Sequence, residues 1–583
     1  MDALRRLFPY LRPYRAYALL SLATLTALVF LDLAIPRLIQ RIIDDGIRPG
    51  NQDVVLSTAA LMLLISLLSA GVAIGNNLFS VRTGEGVARD LRADLFDRIQ
   101  GFSFGNLDRQ RTGLLMVRLT SDVNALKHLT QISLRIGTRA PMMMVGSLLL
   151  MIQTSPPLAL TLLPLLTVTS LLIGIFIFRM EPLFRVVQQK LDRLNTVLQE
   201  NIAGARLARG FSRADFEIGK FDAANRDFAN HSIRVMRFMS TMQPLLALCV
   251  NAGMVVVIWA GGLQAIEGTL SLGQVVAFGN YLLTMMTPLI MMTMLSNTWA
   301  AGLASARRVG EVFADPPEVQ DLPGARALPE DLSPTLEMNN VRFAYASAGG
   351  DDVLHDIALA ATPGQTLAIL GATGAGKTSL INLIPRFYDT RAGTVRVGGE
   401  DIRTVTQRSL RKRIAIVPQE ALLFSGTIRE NIAYGKPDAS LAEIEAAARA
   451  AQAHDFISAL PEGYDSHVEA RGANFSGGQK QRLSIARALL PHPDILILDD
   501  STSAVDVETE TRIQDAMALS AASRLTVVVA QRISTVLKAD QIIVLEHGQI
   551  AARGSHRELL ASSPIYREIY DSQLGGGLPG VRA

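Results

Sequence analysis

Long apolar stretches fill the first half of the chain and are missing from the second. They fall near 16–43, 56–79, 138–154, 157–178, 240–263 and 273–297. Each approaches the roughly 20 residues a helix needs to cross a ~30 Å hydrocarbon core, the third being the shortest. Six crossings bring the chain back to the side where it started. The long segments between crossings, 80–139 and 179–237, do not read as loops. In 85–101, EGVARDLRADLFDRIQG, apolar residues recur at helical spacing, and 186–208 behaves the same way. The membrane helices are therefore expected to continue past the bilayer. A stretch of about 50 helical residues would reach about 75 Å. Turns at Phe104-Gly105-Asn106 and Gly204-Ala205-Arg206 are the expected tips of these arms.

Charge assigns the sides. The short connections 44–55, 154–157 and 264–272 contain a single basic residue, Arg48. The segment 80–139 carries Arg82, Arg89, Arg92, Arg98, Arg109, Arg111, Arg118, Lys127, Arg135 and Arg139, and 179–237 is similarly basic. The positive-inside rule places both long segments, and with them both termini, in the cytoplasm. The opening MDALRRLFPYLRPYR has no signal-peptide cleavage pattern and is expected to lie on the membrane surface as an amphipathic elbow.

Around Asp315-Pro316-Pro317 the pattern changes. Beyond a Pro- and acid-rich linker, short β-rich runs such as Thr366–Leu370, Ile414–Val417 and Ile495–Leu498 alternate with helical patterns. The expected fold is multi-domain. A polytopic all-α membrane domain of six long helices occupies 1–310. A linker, 311–334, leads to an α/β nucleotide-binding domain of the P-loop class at 335–574 and a flexible tail at 575–583.

Composition adds little to this. The hydrophobic share of 49% and a mean hydropathy of +0.26 suit a membrane protein. The net charge of +3 is small for 583 residues, so nothing points to nucleic acid. A single cysteine, Cys249, excludes an intrachain disulfide and supplies no metal cluster.

The chemistry concentrates in the second half. Gly371-Ala-Thr373-Gly374-Ala375-Gly376-Lys377-Thr378 has every fixed position of a phosphate-binding loop, between an apolar strand and a helical run over Ser379–Arg386. Glycines let backbone N–H groups converge on phosphates, the lysine meets β/γ oxygens, and the threonine hydroxyl suits Mg²⁺. A Gly-rich turn with a chance lysine would not reproduce that context. Ile495-Leu-Ile-Leu-Asp499 is a buried strand ending in a carboxylate, suited to Mg²⁺ directly or through water.

At this point the residues resemble the ATP-binding cassette (ABC) family. Asn474-Phe-Ser476-Gly477-Gly478-Gln479-Lys-Gln-Arg482 resembles its signature motif. Gln419, in Val417-Pro-Gln419, resembles the Q-loop glutamine; Ser503-Ala-Val-Asp506 resembles the D-loop; Tyr345 resembles the aromatic that stacks on adenine. In the membrane half, Leu91-Arg-Ala-Asp-Leu-Phe and Arg111-Thr-Gly with Arg118-Leu-Thr-Ser-Asp-Val resemble exporters of the six-helix type. The resemblance implies an ATP site including Ser379, with Mg²⁺ at Thr378, Gln419 and Asp499. It also implies two halves that sandwich two ATP molecules, each between one half's phosphate loop and the other half's signature.

Two departures matter. The family's glutamate after the magnesium aspartate is Asp500 here, one methylene shorter, so its carboxylate retreats by about 1.5 Å. The family's switch histidine is Gln531, which cannot become cationic. In addition Glu469-Ala-Arg-Gly472 replaces the commoner Gly-Glu-Arg-Gly order. With the signature intact, the combination resembles the degenerate-site subunit of heterodimeric bacterial exporters. That resemblance implies an inner-membrane location, a homologous partner supplying the catalytic Glu and His, and hydrophobic substrates such as drugs, lipids or peptides. A homodimeric slow ATPase and an ATP-gated regulatory subunit are the alternatives.

In the membrane half Asp32 sits mid-span near Pro36 and is a candidate for the substrate path, for an interhelical gate, or for a structural pairing. Asn76 and Asn77 are candidates for hydrogen bonds between helices. Met285, Met286, Met291, Met292 and Met294 give the last span an adaptable apolar surface, or ordinary packing.

Overall fold

The computed structural model describes residues 8–574 except 330, 347–349 and 520–523. The first seven residues, the tail at 575–583 and the side chains of Met291, Met292 and Met294 lie outside the described residues. The chain forms two compact units: Met1–Ile99 with Gly113–Ala314, and Gln100–Thr112 with Asp315–Ala583.

The helices in order are α1 (Arg15–Arg41), α2 (Gln52–Gln100), the short α3 (Phe104–Arg109), α4 (Thr112–Thr154), α5 (Pro156–Ala203), the short α6 (Ala205–Gly210), α7 (Ala214–Ile266) and α8 (Leu272–Ala314). With 49, 48 and 53 residues, α2, α5 and α7 are each about 75 Å long. The arms are thus unbroken continuations of the membrane helices, and α3 and α6 stand at the two expected tips. α4 includes two π segments, Arg118–Asp122 and Ser133–Gly137. Among the described residues five helices are long and apolar enough to cross a bilayer. The sixth, α8, contributes the apolar stretch Leu272–Met286 within its described part.

Lipid, not water, decides which side chains stay outside. Leu63, Leu64, Leu67 and Leu68 of α2 are exposed, as a helix facing acyl chains allows. The main core of the first unit includes Val29, Leu33, Met143, Met151, Phe278, Tyr281 and Met285 from α1, α4 and α8, with Leu158 and Leu162 of α5 and Val257 of α7. α5 and α7 pair along their length, with Phe176 stacked on Phe238 at 4.5 Å. Polar groups that enter find partners. Asn76 donates to Ser21 O at 2.7 Å and Ser21 Oγ at 3.0 Å. Asp32 meets Arg139 of α4 at 2.7 Å, so the pairing reading of Asp32 has a named partner. Asp122, on the arm of α4, accepts from Ser305 Oγ at 2.9 Å and pairs with Arg308 of α8. Ser155 caps α5, whose first residue is Pro156.

The second unit holds β1 (Leu336–Phe343), β2 (Leu354–Ala361), β3 (Thr366–Leu370), β4 (Ala392–Val397), β5 (Glu400–Asp401), β6 (Ile414–Val417), β7 (Gly426–Thr427), β8 (His467–Val468), β9 (Ile495–Asp499), β10 (Leu525–Ala530), β11 (Gln541–Glu546) and β12 (Gln549–Gly554). An antiparallel sheet runs β2-β1-β4-β5. A larger sheet runs β12-β11-β3-β10-β9-β6, with β11, β3, β10, β9 and β6 parallel. Its central strands are covered on both faces, which is why they read as continuous apolar runs; all five residues of β9 are buried.

Ile497 is fully buried in β9, between β10 and β6. Ile497→Ala should destabilise the nucleotide-binding unit by about 2–5 kcal/mol through the cavity it leaves. Thermal unfolding of the purified full-length protein checks this; an unchanged midpoint would contradict the packing described.

Candidate nucleotide site

Four neighbouring parallel strands, β3, β10, β9 and β6, end along one edge of the sheet. Leu370 lies beside Ala530, Val529 beside Asp499, and Leu498 beside Val417. The chain then continues from each strand into Gly371, Gln531, Asp500 and, past Pro418, Gln419. Residues up to 160 positions apart thus share one crevice, at the carboxyl ends of the strands, where open α/β sheets bind ligands.

The loop after β3 needs its glycines. A Cβ at Gly371 would lie 2.3 Å from Leu545 O, and Gly376 has φ +97°. Gly374 (φ +84°) and Thr373 form the turn, and Ala375 is packed into the core. The following helix, α9, runs Lys377–Leu383. It is shorter at its end than expected because Arg386 takes a left-handed φ of +53°. Lys377 Nζ donates to Gly371 O at 2.8 Å and Ala372 O at 2.9 Å. Burial lowers its pKa, and Asp499 and Asp500 oppose that fall. A desolvated ammonium held by two carbonyls can exchange them for anionic oxygens at a gain.

Thr378 Oγ1 donates to Asp499 Oδ2 at 3.3 Å. Burial raises the Asp499 carboxyl; the Thr378 bond opposes this and Asp500 adds to it. These hard oxygens fit Mg²⁺. Among the described residues no three His, Cys, Asp or Glu side chains form a cage. That suits an ion that keeps waters and phosphate oxygens as ligands.

Asp500 occupies a left-handed backbone, φ +46°, which aspartate tolerates better than longer side chains do. Gln419 Nε2 lies 3.4 Å from its Oδ2. Burial raises the Asp500 carboxyl, against Arg532, Lys377 and the Gln419 bond. The Gln531 side chain is exposed, and its backbone carbonyl accepts from Gln573 Nε2 at 2.8 Å.

Tyr345 Oη and Ser379 Oγ share a hydrogen bond of 2.8 Å. The Tyr345 ring meets Tyr388 edge-on at 5.2 Å, and Tyr388 Oη donates to Asp108 Oδ2 of α3 at 2.6 Å. Burial, then Asp108, raises the Tyr388 hydroxyl. Phe104 of α3 stacks on Phe387 at 4.0 Å. A cavity of about 200 Å³ lies among Gly105, Asp108, Glu318, Tyr345 and Tyr388. Sequence reasoning missed this group: Asp108 and Tyr388 are 280 residues apart and belong to no motif.

The signature lies apart from the loop. Ser476 caps α10 (Gly477–Leu489) in a reciprocal box: Gln479 N donates to Ser476 Oγ at 3.3 Å and Ser476 N to Gln479 Oε1 at 2.9 Å. A Cβ at Gly478 would stand 2.9 Å from Ala504 O, and one at Gly477 would stand 3.4 Å from Ala504 Cβ. Gln481, nearly buried, donates to Ser503 Oγ at 3.2 Å and accepts from Ala504 N at 2.9 Å. Among the described residues no hydrogen bond or ion pair joins Ser476–Gln479 to Lys377, Thr378 or Asp499. The contact of α10 with 503–506 was missed in the sequence, although both motifs were visible; Gln481 inside the signature run was the available signal.

Gly478→Ala should push residues 503–506 aside and lower ATP turnover about tenfold or more, while the chain still folds. ATPase and thermal-unfolding measurements on the same preparation check this; unchanged turnover would mean that the close approach carries no function.

The ABC transporter transmembrane region, as a sequence family, matches residues 18–289, and the ABC transporter family matches 354–503. The chain is 36% identical over 572 residues to the uncharacterized ABC transporter ATP-binding protein YfiB of Bacillus subtilis, covering 98% of this chain and 99% of that protein. It is 34% identical over 575 residues to the ATP-dependent lipid A-core flippase of Syntrophus aciditrophicus, covering 98% and 95%. Among solved structures, a bacterial Atm1-family ABC exporter with ATP bound superposes with a TM-score of 0.79 at 29% identity, over 98% of this chain and 99% of that one.

Proposed function

The chain belongs to the ABC transporter family, as a half-transporter of the exporter type with membrane and ATPase domains fused, and we propose that it is the degenerate-site subunit of a heterodimer. One observation carries the proposal: Asp500 and Gln531 stand at the two hydrolytic positions of a site whose binding residues are intact, in a chain whose signature, which would serve the other site, is intact too.

The roles follow from the side chains. Backbone N–H groups of 371–376 and Lys377 bind the phosphates, and Tyr345 supports the adenine. Mg²⁺ at Thr378 and Asp499, with Gln419 beside it, would supply charge neutralisation at the phosphates. The Asp500 carboxylate falls short of the attacking water, and Gln531 donates a hydrogen bond without a positive charge. ATP therefore persists at Lys377. Ser476, Gly477, Gly478 and Gln479 close over the ATP of a homologous partner that brings its own Glu and His, and hydrolysis there resets the transporter. Closure of the two ATPase domains turns the membrane cavity outward. Hydrophobic or amphipathic solutes, whether drugs, lipids or peptides, are the cargo; the flippase relative supports the lipid class. The arginine-rich arms support a cytoplasmic ATPase domain and cytoplasmic termini, in a bacterial inner membrane.

A second reading is a homodimer with slow hydrolysis, in which Asp500 serves as an inefficient base; its carboxylate accepts from Gln419 Nε2 at 3.4 Å beside the Mg²⁺ position. Purification separates the two: a homodimer with robust ATPase activity defeats the heterodimer.

Asp500→Glu combined with Gln531→His should raise hydrolysis at this site about tenfold or more. Single-turnover assays resolved by subunit check this, and no rise would contradict degeneracy. Ser476→Ala should reduce steady-state turnover more than Asp500→Ala does; the reverse order would assign catalysis to the Lys377 site.

A further inference from the structure

The switch position is gripped from outside every motif. After β10 the chain passes Gln531 and Arg532 and enters the short α12 (Ile533–Val536). Gln573, next to the last residue of α13 (Pro564–Leu574), holds this turn on both sides of Arg532. Its Nε2 donates to Gln531 O at 2.8 Å, and its Oε1 accepts from Ile533 N at 2.7 Å. Only one orientation of the amide satisfies both bonds. The second fills a donor that the start of a helix leaves unpaired. The grip has a fixed support. Tyr566 of α13 is fully buried, in one core with Ile533 and Val536, and its hydroxyl meets His556 Nδ1 at 2.7 Å.

The far end of the turn is held from another side. Glu510, on α11 (Val507–Leu519), is 2% exposed and has no ion-pair partner among the described residues. Its Oε1 accepts from Thr502 Oγ1 at 2.9 Å, from Thr535 Oγ1 at 2.8 Å and from Gln514 Nε2 at 3.4 Å. A buried carboxylate is costly unless hydrogen bonds surround it, and these donors come from the elements it ties together. Thr502 is two residues after Asp500, and Thr535 four after Gln531. Arg532 adds a third tie, to Ser503 O at 3.2 Å. The Gln531 side chain is exposed and makes no hydrogen bond of its own among the described residues. Its direction is therefore set by the backbone that these contacts fix.

We propose that Gln573 and Glu510 are positioning residues for the switch: they hold 531–535 between α13 and the segment after Asp500, so that Gln531 is aimed at the γ-phosphate of ATP bound at Lys377. The inference rests on the ATP-site reading and deepens it. Neither residue belongs to the phosphate loop, and each acts through the group it holds. ADP lacks the γ-phosphate, so loosening this turn weakens ATP and spares ADP.

The full-length protein, purified with whatever subunit accompanies it, would be labelled on ice with ATP and ADP carrying a photoreactive azide on the adenine, in the presence of Mg²⁺. Label would be read on this chain after separation from its partner, as the concentration that gives half-maximal labelling. Gln573→Met, which keeps the reach of the side chain and loses both bonds, should raise that concentration about fivefold for the ATP probe and leave it within about twofold for the ADP probe. Gln531→Ala should do the same, and adding Gln573→Met to it should cost nothing more, because the grip works through that side chain. Glu510→Gln keeps an oxygen for both threonines and should stay close to the parent, whereas Glu510→Ala should match Gln573→Met. If Glu510→Ala fails to fold, Gln573→Met, at an exposed position, still decides. Equal loss of both probes in Gln573→Met would make its role merely structural and overturn the proposal. So would an unchanged ATP probe, or an additive loss in the double variant. Damage from Glu510→Gln as large as in Gln573→Met would overturn the part given to Glu510. A parent chain that neither probe labels sinks the ATP-site reading itself, and the proposal with it.

Discussion

The nucleotide crevice depends on the parallel register of four strands. A backbone hydrogen-bond ladder sets Leu370 beside Ala530, Val529 beside Asp499 and Leu498 beside Val417. A one-residue slip would turn every side chain to the opposite face and move each loop out of line with its neighbours. The apolar interior prevents that slip, because Ile495, Ile497, Val527 and Val529 fill one core and Leu496 and Leu498 the other. Site geometry and core packing are therefore one constraint: alternate residues of β9 serve two cores, and the strand can only end where Asp499 does.

The membrane half answers to a different solvent. With no water to satisfy backbone groups in the hydrocarbon, the chain must cross as unbroken helices. Their continuation past the bilayer keeps that rigidity over about 75 Å. Polar residues are admitted in pairs: Asn76 with Ser21, Asp32 with Arg139, Asp122 with Arg308. Each joins two helices, so these groups fix how the bundle packs at points where apolar contacts alone would be interchangeable.

Much of this was legible in the sequence, because the signals were local. The arms followed from helical periodicity, and the strands from apolar runs whose observed limits, at Thr366–Leu370 and Ile414–Val417, match the pattern. The phosphate loop was legible because its glycines answer to backbone geometry that no other residue meets. Illegible were contacts set by tertiary approach. Neither the partner of Asp32, over a hundred residues away, nor the link from Asp108 through Tyr388 to Tyr345 has a spacing signature. The left-handed backbone of Asp500 was hidden as well, since aspartate does not announce it as glycine does.

The segment 500–506 joins two places that would serve different nucleotides. Ser503 N donates to Asp500 O at 3.3 Å, Arg532 donates to Ser503 O at 3.2 Å, and Gln481 grips Ser503 and Ala504 from the signature helix. Gly478 leaves no room for slack against Ala504. Such a wedge transmits position without needing turnover at either end. A nucleotide that stays at Lys377 through many cycles would then act as a preload: it would hold the signature at one attitude, so that each stroke elsewhere begins from a tensioned rather than a loose mechanism.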